Sequence, residues 1–136
     1  MGFRFMTAVL LDTNALLWLV KSPELVAESA REVLEDPAND LFVSAASAWE
    51  IAIKTRLGRL DGAGILSSWK DTLEAMTAQE LAMDSADATL AGQLNWDHRD
   101  PFDRMIVAQA TRRGLAIATS DRVIREGAMT QVIVTK

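Results

Sequence analysis

The chain has 136 residues, no cysteine, and 19 acidic against 14 basic side chains for a net charge of −5; this length suits one domain, 1–136, whose core needs no staples. Without cysteine there is no disulfide framework, thiol nucleophile or thiolate metal site, and the acidic balance lacks the basic footprint of a typical nucleic-acid binder. No stretch approaches the roughly 18 apolar residues of a membrane span, and the first apolar run is cut off by Asp12 rather than ending like a secretory signal, so a cytoplasmic protein without a membrane partner is expected.

Ala8-Val9-Leu10-Leu11 is a continuous apolar run, the pattern of a strand buried on both faces of a parallel sheet. It runs into Asp12-Thr13-Asn14, after which residues 15–20 begin a buried helix. Asp12 thus stands at the carboxyl end of a strand, where open α/β sheets place ligands; it equally suits the N-cap of the helix. Lys21-Ser22-Pro23-Glu24 reads as a break and restart, with Ser22 as N-cap and Pro23 at the first helical position. Val26, Ala30, Val33 and Leu34 give the new helix an apolar face. A turn cluster over 36–40 ends it, and Leu41-Phe42-Val43 is a second buried strand, closed by Ser44.

Ser44 or Ser47 caps the next helix, which passes Glu50 and Lys54 on its way to Gly58, placed as a C′ residue. Its expected core face is Ala45, Ala48, Trp49, Ala52, Ile53 and Leu57. Leu66, Trp69, Leu73 and Met76 define one amphipathic helix, residues 80–83 a weak edge strand, and 85–94 another helix. After a polar loop over 95–99, Asp100-Pro101 opens a helix with Asp100 as N-cap, Pro101 at N1 and Asp103 at N3; it ends at Gly114. Residues 115–118 form a buried strand, Thr119-Ser120-Asp121 leads into a short helical turn, and 131–134 is the last strand. This alternation predicts an α/β fold, a three-layer α/β/α sandwich around a mainly parallel sheet.

Four acids lie at handover points that a parallel sheet sets along one edge: Asp12, Glu50, Asp103 and Asp121. Each has a structural role open to it. Asp12 and Asp121 can cap helices, Glu50 can pair with Lys54 four residues on, and Asp103 sits at the positive end of a helix dipole. Together, however, four like charges repel and raise one another's pKa, and a cation would relieve them. Oxygen ligands with no cysteine and one histidine select Mg²⁺ or Mn²⁺ over zinc. Such ions act on phosphodiesters, and Thr13, Asn14 and Ser120 are placed to orient water or a phosphate oxygen. With four acids counted as ligands the remaining charge is only −1, and bases cluster beside them, at Lys54, Arg56 and Arg59, at Arg99 and Arg104, and at Arg122 and Arg125.

The segments Leu11-Asp12-Thr13-Asn14, Ser47-Ala48-Trp49-Glu50-Ile51, Asp100-Pro101-Phe102-Asp103-Arg104-Met105-Ile106-Val107-Ala108-Gln109-Ala110 and Thr119-Ser120-Asp121 resemble, in this order and spacing, a PIN-domain protein of the VapC type. The resemblance runs from Leu10 to Val134. It implies a five-stranded parallel sheet of order 3-2-1-4-5 with the opening strand at its centre. It also implies that Asp12, Glu50, Asp103 and Asp121 bind Mg²⁺ or Mn²⁺ and catalyse RNA phosphodiester hydrolysis. The partners implied are an RNA substrate and a cognate antitoxin protein that fills the groove, with a homodimer or a toxin–antitoxin hetero-oligomer as the assembly. The five residues before Met6 extend past the family's usual start, which makes Met6 a second candidate initiator.

Other residues are open to two readings. His98, the only histidine, is either a general acid or phosphate contact or a loop histidine with its own hydrogen bond. Asp100 is better read as a cap than as a ligand. Arg104 contacts RNA phosphate or pairs with a nearby acid. Trp18, Trp49 and Trp69 share helical spacing with aliphatic residues and are expected in the core, which leaves Trp96 as the candidate stacking platform. Residues 60–95 are expected to shape the RNA groove and the antitoxin contact. A phosphatase of the haloacid-dehalogenase type needs a second Asp where Asn14 stands. A non-catalytic PIN-like module that binds RNA or protein is the alternative, though such modules typically lose part of the quartet.

Overall fold

A computed structural model describes residues 7–136; the alternative start at Met6 lies outside them. The strands are β1 (Ala8–Leu11), β2 (Asp40–Ser44), β3 (Ala78–Leu81), β4 (Ala116–Thr119) and β5 (Val132–Val134). They pair in parallel throughout, in the order β3-β2-β1-β4-β5, so the sheet has the expected order with the opening strand at its centre. Around it lie α1 (Thr13–Lys21), α2 (Glu28–Leu34), α3 (Ala45–Arg56), α4 (Ala63–Ser67), α5 (Trp69–Ala75), α6 (Ser85–Gln93), α7 (Pro101–Arg113) and α8 (Arg122–Gly127).

Alternation along β1 divides the interior in two, because successive side chains point to opposite faces. Val9 and Leu11 join Leu16, Leu34, Val43, Ile51, Ile65 and Leu73 in one core. Leu10 joins Ile106, Val107, Ile117 and Ile124 in the other. Strands buried on both faces read as unbroken apolar runs, and β1 and β4 do. On the second face Asp87 of α6 is fully buried and is held by the guanidinium groups of Arg112 and Arg113 and by the Gln109 amide. This ion cluster ties α6 to α7, and single-position sequence reading does not anticipate it.

Helix ends follow the sequence closely. Ser44 caps α3 through a 3.0 Å bond from the Ala46 N–H. Gly58 takes φ +73° past its end, where the Gly58 and Arg59 amides close on the Thr55 and Lys54 carbonyls in a Schellman arrangement. Gly114 takes φ +65° at the end of α7.

Five local expectations are corrected. Ser22 makes no side-chain cap bond, because its amide closes α1 on the Trp18 carbonyl. Pro23 then starts only a 3-10 turn (Pro23–Leu25), and α2 begins at Glu28. The single helix expected around 66–76 is broken at Ser68 into α4 and α5, and the edge strand lies at 78–81. The largest departure is the face of α3: Ala46, Ser47, Glu50 and Ile51 are buried, while Trp49 and Leu57 are 54% and 50% exposed. Alanine and isoleucine lie on most sides of this helix, so periodicity selects no face. Its rotation is set by tertiary contacts, with Ile51 in the first core and the Ser47 hydroxyl 2.9 Å from that of Thr13.

Candidate active site

The register of the central strands builds the site. Leu11 lies beside Val43 on one side and Ala118 on the other, so the following residues, Asp12, Ser44 and Thr119, leave the sheet side by side. The Asp12 amide donates to the Ala118 carbonyl at 3.0 Å. Its carboxylate caps α1, accepting the Ala15 N–H at 2.7 Å, and its second oxygen accepts the Thr119 hydroxyl. The Thr119 oxygen in turn accepts the Asp121 N–H at 2.9 Å, while the Asp121 carboxylate caps α8 by accepting the Val123 N–H at 2.8 Å. Thr119 therefore couples two of the acids. Ser120 was expected to orient water or a phosphate oxygen; the hydroxyl that turns toward Asp12 belongs to Thr119, the terminal residue of a buried strand one place earlier.

Glu50 enters from α3, 5% exposed, with the Lys54 Nζ 2.6 Å from its Oε2. Asp103 enters from the first turn of α7, with His98 Nε2 2.6 Å from its Oδ2. Asp100 caps α7, as expected, by accepting the amides of Phe102 and Asp103. Asp12 and Asp103 are both pushed up to about 6. For Asp12 the cause is burial, reinforced by the charges of Asp103 and Asp121 and opposed by the Thr119 and Ala15 bonds. For Asp103 it is burial again, reinforced by Asp100 and Glu50 and opposed by His98. The Glu50 hydrogen bond raises Lys54 above its ordinary value, and Asp100 and Asp103 add to the effect. The four acids are thus linked in a chain, Asp121 and Asp103 acting on Asp12 and Glu50 acting on Asp103, and each cap and pairing role also holds.

The donor set is almost all carboxylate oxygen, and two of its members are held at a cost in the charged form. That chemistry fits a hard divalent cation. Among the described residues, His98, Asp100 and Asp103 form a group whose candidate ligand atoms lie within 4.8 Å of one another; it sits at the α7 end of the site. The remaining expected residues are placed as follows. Asn14 is exposed on α1, and the Thr13 hydroxyl is engaged by Ser47 rather than turned to a ligand.

Arg104 does not pair with a nearby acid. Its guanidinium donates to main-chain carbonyls of Ala91, Gly92, Leu94, Trp96 and His98, clamping the end of α6 and the loop that carries His98. A planar fork of five donors suits this task, and side-chain chemistry alone does not reveal that its acceptors are backbone. Trp96 is also reassigned. It packs into the second core, so closely that a Cβ on Gly127 would lie 2.3 Å from its ring. Among the described residues the exposed aromatic is instead Trp49, edge-on to Phe102 with ring centroids 5.0 Å apart. Trp69 packs against the first core as expected, whereas Trp18 is only half-buried, with the Lys136 ammonium 4.9 Å from its ring centroid.

Comparison with known proteins establishes the family and the fold. The profile of the PIN domain matches residues 9–128. Ribonuclease VapC22 of Mycobacterium tuberculosis is 31% identical over 120 residues, 88% of this chain and 92% of that protein. VapBC2 from Rickettsia felis, solved bound to a DNA fragment from its promoter, superposes with a TM-score of 0.68 at 11% identity, covering 96% of this chain and 100% of that one. VapBC-5 of Mycobacterium tuberculosis, a member of the VapBC family of toxin-antitoxin systems, gives a TM-score of 0.59 at 19% identity over 95% and 99% of the two chains. At these identities the two structures speak for the fold.

Proposed function

The chain belongs to the PIN-domain family, among the VapC ribonucleases, and on that premise we propose that it is a metal-dependent endoribonuclease, the toxin of a toxin–antitoxin pair. What supports the reading is the electrostatic linkage of Asp12, Glu50, Asp103 and Asp121: the charges of Asp103 and Asp121 act on Asp12 and that of Glu50 on Asp103, and Asp12 and Asp103 are pushed up to about 6. These four are the residues that would hold Mg²⁺ or Mn²⁺. The ion, when bound, supplies polarisation of the phosphodiester and a more acidic water.

The chain's own groups do the positioning. Asp12 is fixed at both oxygens, by Ala15 and Thr119, and keeps its orientation as charge at the site changes. Thr119 holds Asp121 to the same point. His98, on Asp103, orients that carboxylate. The N-termini of α1 and α7 bring their positive dipole ends to the site, which favours a phosphate there. No side-chain nucleophile is required. The partners proposed are RNA as substrate and a cognate antitoxin, in a homodimer or a toxin–antitoxin assembly.

The test is cleavage of total RNA by the purified, antitoxin-free protein with Mg²⁺ or Mn²⁺, with chelator, and with Asp103→Asn. Discrete metal-dependent fragments absent from the variant are expected. RNA binding without cleavage in either protein would replace the nuclease with a non-catalytic module.

A further inference from the structure

Lys54 follows Glu50 by one turn of α3, with 2.6 Å between Nζ and Oε2. The two ends of the pair differ in freedom. The Glu50 side chain is 7% exposed and that of Lys54 is 43% exposed. Glu50 is anchored, because its neighbour Ile51 is fully buried in the first core and Ser47, one turn back, is tied to Thr13. The lysine reaches in from solvent on a flexible four-carbon stem, so the acid cannot leave and the cation can. The ammonium stands against the same carboxylate that a metal would need, and the Asp100 and Asp103 charges act on it as well.

We propose that Lys54 is the exchangeable counterion of the acid pocket: it neutralises Glu50 in the metal-free protein, competes with the divalent ion for that carboxylate, and swings back to solvent when the ion binds. This rests on the metal-dependent reading above and adds to it a positioning residue that sets the metal concentration at which the site fills. A lysine that merely supported Glu50 would have the opposite signature, since its loss would loosen the ligand and weaken metal binding.

The probe is Mn²⁺ alone, titrated into RNA-free protein and followed by electron paramagnetic resonance. Lys54→Met should bind Mn²⁺ roughly two- to fivefold more tightly than wild type, the scale of one partly exposed ion pair. Lys54→Arg, which keeps the charge, should stay close to wild type. Far-UV circular dichroism confirms the fold, and Lys54→Gln replaces the methionine variant if that one does not fold. Equal or weaker Mn²⁺ binding in the neutral variant, with wild type binding normally, would overturn this proposal alone. Absence of Mn²⁺ binding by wild type would overturn the metal-dependent reading and this proposal with it.

Discussion

Replacing Asp12 by Asn removes a charge that the fold holds unfavourably while keeping its hydrogen bonds. Asn is as good an N-cap as Asp, so it still accepts the Ala15 N–H, and its amide can donate to the Thr119 hydroxyl, which rotates to receive it. The carboxyl rises from 3.8 to about 6 on folding. Between those values the folded chain keeps a proton that the unfolded chain has lost, so stability falls as pH rises through this window and the loss is complete above it. At about 1.4 kcal/mol per unit, the full loss is roughly 3 kcal/mol. Part of it is already incurred at pH 4.5, which leaves roughly 2 kcal/mol between pH 4.5 and pH 7.5. In chelator, the melting temperature of Asp12→Asn should therefore gain on wild type across this interval by about 6–10 °C for a chain of this size. Added Mg²⁺ should narrow the gap by stabilising wild type alone. The assay is thermal unfolding by circular dichroism at the two pH values. A gap that does not change with pH, or a variant less stable than wild type at pH 7.5, would refute the reasoning.

Arg104→Lys cannot reproduce the fork to five carbonyls and should cost about 1–3 kcal/mol in urea unfolding, with faster proteolytic nicking of the 94–99 loop that the arginine clamps. Gly127→Ala should be destabilising by about 1–3 kcal/mol, because the new Cβ would meet the Trp96 ring. Helix propensity works the other way by up to about 1 kcal/mol, so a lower melting temperature with an altered tryptophan emission identifies the clash.

Local chemistry was legible wherever one residue type decides a backbone state. The unbroken apolar runs of β1 and β4 announced strands buried on both faces. Gly58 and Gly114 marked helix ends because both stand at positive φ, where a Cβ is strained. Asp100 and Pro101 opened α7 as their capping chemistry requires. The four acids stood out by position, Asp12 and Asp121 at strand ends and Glu50 and Asp103 in the N-terminal halves of helices. What adjacency in the chain cannot convey is which groups meet across elements. The turn of α3 that exposes Trp49 and buries Glu50 follows from contacts with α1 and the core, since the helix is apolar on most sides. Arg104 was misread because its partners are main-chain carbonyls up to 13 residues away, and carbonyls carry no residue signature. Thr119 reaches Asp12 over 107 positions, an encounter produced by strand register alone. The sequence by itself determined the elements, their caps and the acids at their junctions, because those follow from steric and hydrogen-bonding preferences within a few residues. Only the tertiary structure decided which face of α3 is inside, which hydroxyl couples the acids and which aromatic is exposed, because each depends on packing between segments distant in the chain.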